Sequence, residues 1–113
     1  MNTVTLSVAT REQVSARFLA AAKGVPQGSH ISFATIDLLW STIAPKRWEL
    51  LEAMTGAGPI SIREVARRVG RDVKAVHGDV TALIKAGVVD RQDGKVVFPY
   101  DGVHVDFVLG KAA

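Results

Sequence analysis

The sequence contains no cysteine, which excludes a disulfide framework and any metal site built on thiolates. No stretch approaches the roughly 18 consecutive apolar residues of a membrane span. The first residues, MNTVTLSVATREQ, lack the basic segment and long apolar run of a secretory signal. No G-x-S-x-G, P-loop, H-E-x-x-H or H-x-x-x-H pattern occurs. These absences predict a cytoplasmic protein that is not an enzyme and has no cofactor, metal site or membrane partner.

What the chain does contain is apolar residues in periodic patterns. At 113 residues, of which 48% are hydrophobic, it is long enough for one globular domain with a modest core. The formal net charge is +3. A small positive charge favours an acidic partner only weakly, so its position along the chain matters more than its size.

The stretch from Ser61 to Val89 predicts two helices joined by a tight turn. Its apolar residues recur at helical spacing in two sets, Ile62, Val65, Ala66 and Val69, then Val73, Val76, Val80, Leu83 and Ile84. Gly70 stands between the sets and Gly87 follows the second, each where a left-handed cap favours glycine. Ser61 and Glu64 have the spacing of a capping box at a helix start. This pattern predicts a helix-turn-helix, whose second helix enters the DNA major groove.

The positive charge is concentrated on this same stretch. Residues 61–91 contain seven basic and four acidic side chains, so their net charge of +3 equals that of the whole chain. A positive field on one element is what binding a polyanion requires. The alternative is a solvated helical hairpin with scattered arginines.

The segment before this hairpin predicts one strand and three helices. Residues 3–8 alternate apolar and polar side chains, as in a strand with one buried face. A helix is predicted from a Thr10 cap to about Lys23, with an apolar face including Leu19 and with Gly24 ending it, then a loop over 25–30 and an extended piece over 31–33. Two further helices are predicted over 35–43 and from Pro45 to Gly56.

After the hairpin, the sequence predicts β structure. Asp93-Gly94 lies between two apolar pairs and is a strong two-residue turn signal, so residues 90–97 predict a wing beside the second helix. A short β-stub is expected near Ile60, and residues 103–109 alternate like one more strand.

If the second helix, over residues 72–86, enters the groove, its outer face meets the bases. Lys74 and His77 can donate to base acceptors or phosphates, and Arg71 lies at the helix entrance. Gly78 leaves little side chain for direct base readout, which is explained either by close backbone approach or by drift. The predicted DNA-binding residues are Arg63, Arg71, Lys74, Ala75, His77, Gly78, Thr81, Lys85, Arg91 and Lys95.

The chain resembles winged helix-turn-helix regulators of the broad MarR/ArsR type. More narrowly, it is similar to small prokaryotic DNA-binding proteins with an N-terminal strand and helix before the winged domain. The matching positions are Thr3–Val8, Arg47–Leu51, Glu64-Val65-Ala66, Gly70-Arg71, Val76-His77, Asp79-Val80, Leu83 and Gly87-Val88-Val89. The resemblance implies a dimeric transcriptional regulator that binds double-stranded DNA. It also leaves open an antitoxin role, with a cognate toxin as a second partner.

The expected fold is therefore α+β, mainly α, with an N-terminal extension over 1–43 and a winged helix-turn-helix domain over 44–113. One recognition helix covers few base pairs, so a homodimer with two half-sites is expected. The predicted dimer contacts are Val4, Leu6, Val14, Phe18, Leu39 and Trp40. The N-terminal extension and the C-terminal strand are expected to pair between the two chains. In the alternative, residues 3–8 pair with 103–109 inside one chain and enlarge its core. Two rival functions are a protein-interaction module and a ligand-responsive regulator with a cavity near Trp40 and Trp48.

Overall fold

The computed structural model describes residues 2–9, 11–24 and 29–106. Over those ranges the protein is a small α+β domain with five helices and five strands. In chain order the elements are β1 (Thr3–Val8), α1 (Arg11–Ala22), β2 (Ser29–Phe33), α2 (Ile36–Thr42), α3 (Pro45–Met54), α4 (Ile62–Val69), α5 (Val73–Lys85), β3 (Asp90–Gln92), β4 (Lys95–Val97) and β5 (Gly102–Asp106). Each helix in these ranges is too short or too polar to cross a lipid bilayer. The predicted Thr10 cap and the predicted strand residues 107–109 lie outside the described residues.

Strand β1 is the centre of a parallel three-stranded sheet in the order β2-β1-β5. Thr3 pairs with Gly102 and Leu6 with Val105, so the first strand joins the last within one chain. On its other edge, Leu6 pairs with Ile31 and Val8 with Phe33. The prediction that residues 3–8 pair between chains is therefore wrong, and the alternative of pairing inside one chain is what the structure has. The alternation of apolar and polar residues predicts a strand, but it does not specify which other strand pairs with it.

The two faces of this sheet differ in polarity because β side chains alternate. Val4 and Leu6 lie fully buried on one face, and their register partners Val103, Val105 and Ile31 pack against the same core. These burials correct the predicted dimer contacts: Val4, Leu6 and also Leu39 have no exposed surface for a second chain. The pattern showed that these side chains are buried, but it could not show that their own chain buries them.

Helix α1 lies over the opposite face, which carries Thr5 and Ser7. A space of about 500 Å³ remains between that face and the helix. A polar face offers little apolar surface to cover, so none of α1's residues is buried and Phe18 is 73% exposed.

Helices α2 and α3 begin at residues whose chemistry suits a helix start. Thr35 Oγ1 accepts a hydrogen bond from the Leu38 amide, satisfying one of the first unpaired N–H groups. Pro45 occupies the first turn of α3, where a missing N–H removes no hydrogen bond. Leu50, Leu51 and Met54 then pack into the core, as their spacing predicts.

The predicted hairpin over residues 61–87 is present as α4 and α5. Ser61 Oγ accepts from the Glu64 amide at 3.0 Å, which is one half of the predicted capping box. Glu64 does not complete the box with its own side chain, since its carboxylate accepts instead from Arg67. Gly70 adopts φ +67° between the helices, and Asp72 caps α5 by accepting from the Lys74 amide.

After α5 the chain turns at Gly87, which has φ +82° as predicted, into an antiparallel β3–β4 hairpin. Asp93 and Gly94, at φ +51° and +76°, make its two-residue turn. Ile60 forms an isolated antiparallel bridge with Val96, which confirms the expected stub.

One hydrophobic cluster includes buried residues of β1, α2, α3, α4, α5 and β4. Val76, Val80 and Leu83 are the buried side chains of α5 and point into this cluster. Val73 was expected there too but is 41% exposed, because it lies at the first position of α5, at the edge of the packed surface.

Candidate nucleic-acid interface

The side of α5 opposite its buried residues faces solvent. Lys74, Ala75, His77 and Gly78 are all exposed. A Cβ built on Gly78 would have no atom of the described residues within 4 Å, so packing against them does not require glycine there. The outer face of α5 thus has two side chains that can donate hydrogen bonds, Lys74 and His77. At Ala75 and Gly78 the side chain is short or absent, so the helix backbone lies close to solvent.

Thr81 does not belong to this surface, although its position on the helical wheel predicts that it should. Its Oγ1 is buried and has no hydrogen-bond partner among the described residues. A helical wheel considers α5 alone, whereas burial at Thr81 depends on what packs around the helix in space. The prediction that this hydroxyl faces a duplex is therefore wrong.

The Arg71 guanidinium also points to a partner inside the chain. Its Nη2 donates to Asp79 Oδ2 at 2.7 Å, and the side chain is only 19% exposed. On the other carboxylate oxygen, Arg47 Nε donates to Asp79 Oδ1 at 3.2 Å. Arg47 Nη1 in turn donates to the carbonyl oxygen of Ser41 at 2.9 Å. This Asp79 cluster, formed by Arg47, Arg71 and Asp79, joins the end of α2 and the start of α3 to the middle of α5.

The protonation of Asp79 follows from these contacts. Burial by itself raises the pKa of the carboxyl, whereas the hydrogen bonds and positive charges of Arg71 and Arg47 lower it. The net effect is a pKa below the ordinary value, so the carboxylate remains charged near neutral pH. Asp79 thus holds two arginines in fixed positions beneath the outer face of α5.

Sequence reasoning treated Arg71 as a DNA ligand and gave Asp79 no role. A signal was nevertheless present, since Arg47, Arg71 and Asp79 all fall in segments that carry the resemblance described above. Their separations of 8 and 32 residues contain no periodic relation that would predict a contact. The packing of α3 against α5 brings Arg47 to Asp79, and Arg71 reaches the same carboxylate from the turn between α4 and α5.

Four other predicted cations are exposed on α4, at the end of α5 and on the β3–β4 hairpin. Arg63 is exposed on α4, Lys85 at the end of α5, and Arg91 and Lys95 on the β3–β4 hairpin. Arg91 and Lys95 flank the turn, since Gln92 pairs with Lys95 and Arg91 with Val96. These four cations have no ion pair among the described residues, so their charges are available to a partner.

Two further arginines on α4 are partly neutralised. Arg67 Nε donates to Glu64 Oε1 at 2.7 Å, and Arg68 lies 3.8 Å from the same oxygen. The hydrogen bond from Arg67 lowers the pKa of the Glu64 carboxyl. The Glu64 carboxylate stabilises the start of α4, and its contacts with Arg67 and Arg68 reduce the net positive charge of that helix.

In the described part of the chain, no three His, Asp or Glu side chains lie close enough together to hold a metal ion. The surface around α5 is therefore characterised by cations, small residues and exposed helix backbone.

Comparison with known proteins gives one result. Neither the curated proteins nor the solved structures include a match to the chain. The model of one protein family, HVO_A0114, matches residues 42–105, which is more than half of the sequence and runs from the end of α2 into β5. That span includes the Asp79 cluster and the outer face of α5. The chain therefore belongs to the HVO_A0114 family.

Proposed function

We propose that the protein is a sequence-specific DNA-binding regulator of transcription, with a winged helix-turn-helix formed by α3, α4, α5 and the β3–β4 hairpin. The observation that carries the proposal is the division of α5 into two faces. Val76, Val80 and Leu83 anchor one face in the core. The other face leaves Lys74 and His77 in solvent. A major groove about 12 Å wide admits a helix of this kind.

The chemistry of the exposed face suits a duplex. Lys74 lies exposed in the first turn of α5, where its ammonium group can meet a phosphate, while the Asp72 carboxylate already accepts from the amides of Lys74 and Ala75. His77 follows three residues later and can donate to a base acceptor. Ala75 and Gly78 lack long side chains, so the helix backbone can approach the groove floor. With so few reading side chains, DNA shape contributes much of the specificity.

The β3–β4 hairpin acts as the wing in this proposal. Arg91 and Lys95 lie on either side of its turn and are exposed. Cations at a hairpin tip can follow the phosphate backbone or enter a narrow minor groove. Each such contact releases a counterion and makes the affinity dependent on salt.

Arg71 has a different role here from the one the sequence predicts. Its guanidinium is held by Asp79, so it fixes the turn between α4 and α5 to the middle of α5 and does not reach out to phosphate. Lys74 is consequently the better residue for a mutational test.

The regulator acts as a homodimer in this proposal, since paired half-sites give useful specificity. Of the expected contacts, Val14, Phe18 and Trp40 remain exposed. Val14 and Phe18 lie four residues apart on α1 and form an apolar patch together with Leu19. That patch is the surface we assign to the second copy.

The test is fluorescence anisotropy with labelled duplexes from the DNA upstream of the gene, compared with a scrambled duplex. Lys74→Ala is expected to weaken binding several-fold and to reduce the slope of log affinity against log salt by about one. Lys23→Ala removes the same charge from an exposed position just after α1, so it is the matched control and should bind like the parent.

Three outcomes contradict the proposal. Equal losses in both variants would mean that net charge alone drives binding. No loss in Lys74→Ala would exclude α5 from the DNA surface. Equal affinity for the upstream and scrambled duplexes would exclude sequence specificity.

An autoregulating antitoxin remains one form of this proposal. It requires a small toxin frame beside the gene and a complex between the two products. Co-expression of the neighbouring frame with the chain, followed by purification of a stable complex, tests it. A neighbouring product that neither binds the chain nor inhibits growth would contradict the antitoxin role.

A further inference from the structure

An apolar groove lies on the protein between α2, α3 and β5, away from the outer face of α5. It encloses about 500 Å³, within the range of small-molecule sites. Trp40 and Ile43 come from α2, Trp48 from α3, and Val105 from the neighbouring strand β5. Both tryptophans of the chain therefore face this one space.

The groove also has acidic groups at its margin. Glu49 and Glu52 line it and are exposed, one helical turn apart on α3. Neither carboxylate takes part in a hydrogen bond or ion pair within residues 2–9, 11–24 and 29–106. Among the described residues, no lysine or arginine lines the groove. The groove therefore combines two indole rings with two carboxylates that have no counterion among the residues the structure describes.

That combination selects the charge of a ligand as well as its shape. Aromatic faces attract cations through the ring quadrupole, most strongly in tryptophan. Two carboxylates add Coulombic attraction for a cation and repel an anion of the same shape. An apolar body gains free energy by covering the indoles, Ile43 and Val105. A small hydrated cation lacks that contribution, and a neutral apolar compound lacks the electrostatic one.

We propose that this groove binds a lipophilic organic cation, such as a quaternary ammonium or phosphonium compound with aromatic substituents. The site is separate from the proposed DNA surface, and its occupancy is measured without DNA. Failure of the DNA-binding proposal therefore leaves this one standing, and the reverse also holds.

The intrinsic fluorescence of the two tryptophans reports directly on the site. Titration with tetraphenylphosphonium should change that fluorescence saturably, with a dissociation constant in the micromolar range. Tetraphenylborate, which has the same shape and the opposite charge, should bind far more weakly. Calorimetry should give one site per chain.

Variants locate the site on the protein. The double variant Glu49→Gln and Glu52→Gln should weaken phosphonium binding roughly tenfold, because two nearby charges are lost. Glu12→Gln removes a charge from exposed α1 and should leave affinity unchanged. Trp40→Leu should weaken binding and remove part of the signal, and it should fold because Trp40 is 49% exposed.

The proposal is overturned by any of three results. The first is no saturable signal with the phosphonium. The second is equal binding of the borate, which would make the groove merely apolar. The third is a change in tryptophan fluorescence that depends on protein concentration and not on phosphonium concentration, which would show that a second copy covers the groove.

Discussion

Replacing Gly78 by alanine should stabilise the fold and weaken DNA binding at the same time. Gly78 lies in the middle of α5 with ordinary helical backbone, since it is not among the glycines of positive φ. In the part of the chain that the structure describes, no atom lies within 4 Å of a Cβ added at Gly78. The substitution therefore removes the entropic cost of a helical glycine without creating a clash.

The expected gain in the free energy of unfolding is about 0.5–1 kcal/mol, the difference in helix propensity between glycine and alanine. For a chain of 113 residues the unfolding entropy near the midpoint is roughly 0.24 kcal/mol per kelvin. Dividing the gain by that entropy gives a rise in Tm of about 2–4 °C. Circular dichroism during heating and a urea titration measure this change independently.

Gly70→Ala is the matched control because the same methyl group is added in equally open space. Gly70 has φ +67°, a conformation that disfavours a residue with a Cβ. The control should therefore lower stability by about 1 kcal/mol, opposite in sign to Gly78→Ala. If both variants shift stability in the same direction, the argument from backbone conformation is refuted.

DNA binding by Gly78→Ala tests a different step. In the proposed complex the backbone at Gly78 lies close to the groove floor, so a methyl group there should reduce affinity severalfold in the anisotropy assay. A variant that is more stable and binds equally well would show that the duplex does not contact α5 at this position.

Two other perturbations test the Asp79 cluster and the proposed dimer. Asp79→Asn should lower the free energy of unfolding by about 1–3 kcal/mol at pH 7, because it replaces one of the two acceptor oxygens by an NH2 group that cannot accept and removes the negative charge that faces two arginines. The folded pKa of Asp79 is depressed, so its contribution is fully present above the unfolded pKa of about 4 and is lost as pH falls through the lower folded value. Denaturant titrations should show the gap between parent and variant narrowing below about pH 4, and a gap independent of pH would contradict the assignment. Phe18→Glu, at an exposed position of α1, should convert a dimer to a monomer in light scattering without loss of stability, whereas a monomeric parent at tens of micromolar would remove the dimer proposal.

The helices of the central hairpin could be predicted because their signals are local. Apolar spacing, the Ser61 cap and Gly70 act within a few residues of each other, and the structure has α4 and α5 where these signals place them. The Asp93-Gly94 turn is local in the same sense. Each of these signals depends only on residues that are close together in the sequence. It can therefore be recognised without knowing which distant residues pack nearby.

The sheet and much of the candidate site could not be predicted in this way. The pairing of β1 with β5 joins residues 99 positions apart, and no alternation of side chains specifies that partner. The Asp79 cluster depends on how α3 packs against α5, and the buried Thr81 hydroxyl depends on elements around α5. For α1, the apolar spacing predicted a buried face, yet the polar strand face beneath it left Phe18 and Leu19 exposed.

The central position of β1 also sets an order of events during synthesis. Its edge partner β5 leaves the ribosome 99 residues after it, which at cellular elongation rates is a delay of roughly 5–20 s. During that interval the local contacts of α4 and α5 can form, whereas Val4 and Leu6 still lack their pairing partners on β5. Until β5 has been synthesised, the buried apolar side chains of β1 therefore lack the strand on one of their two edges.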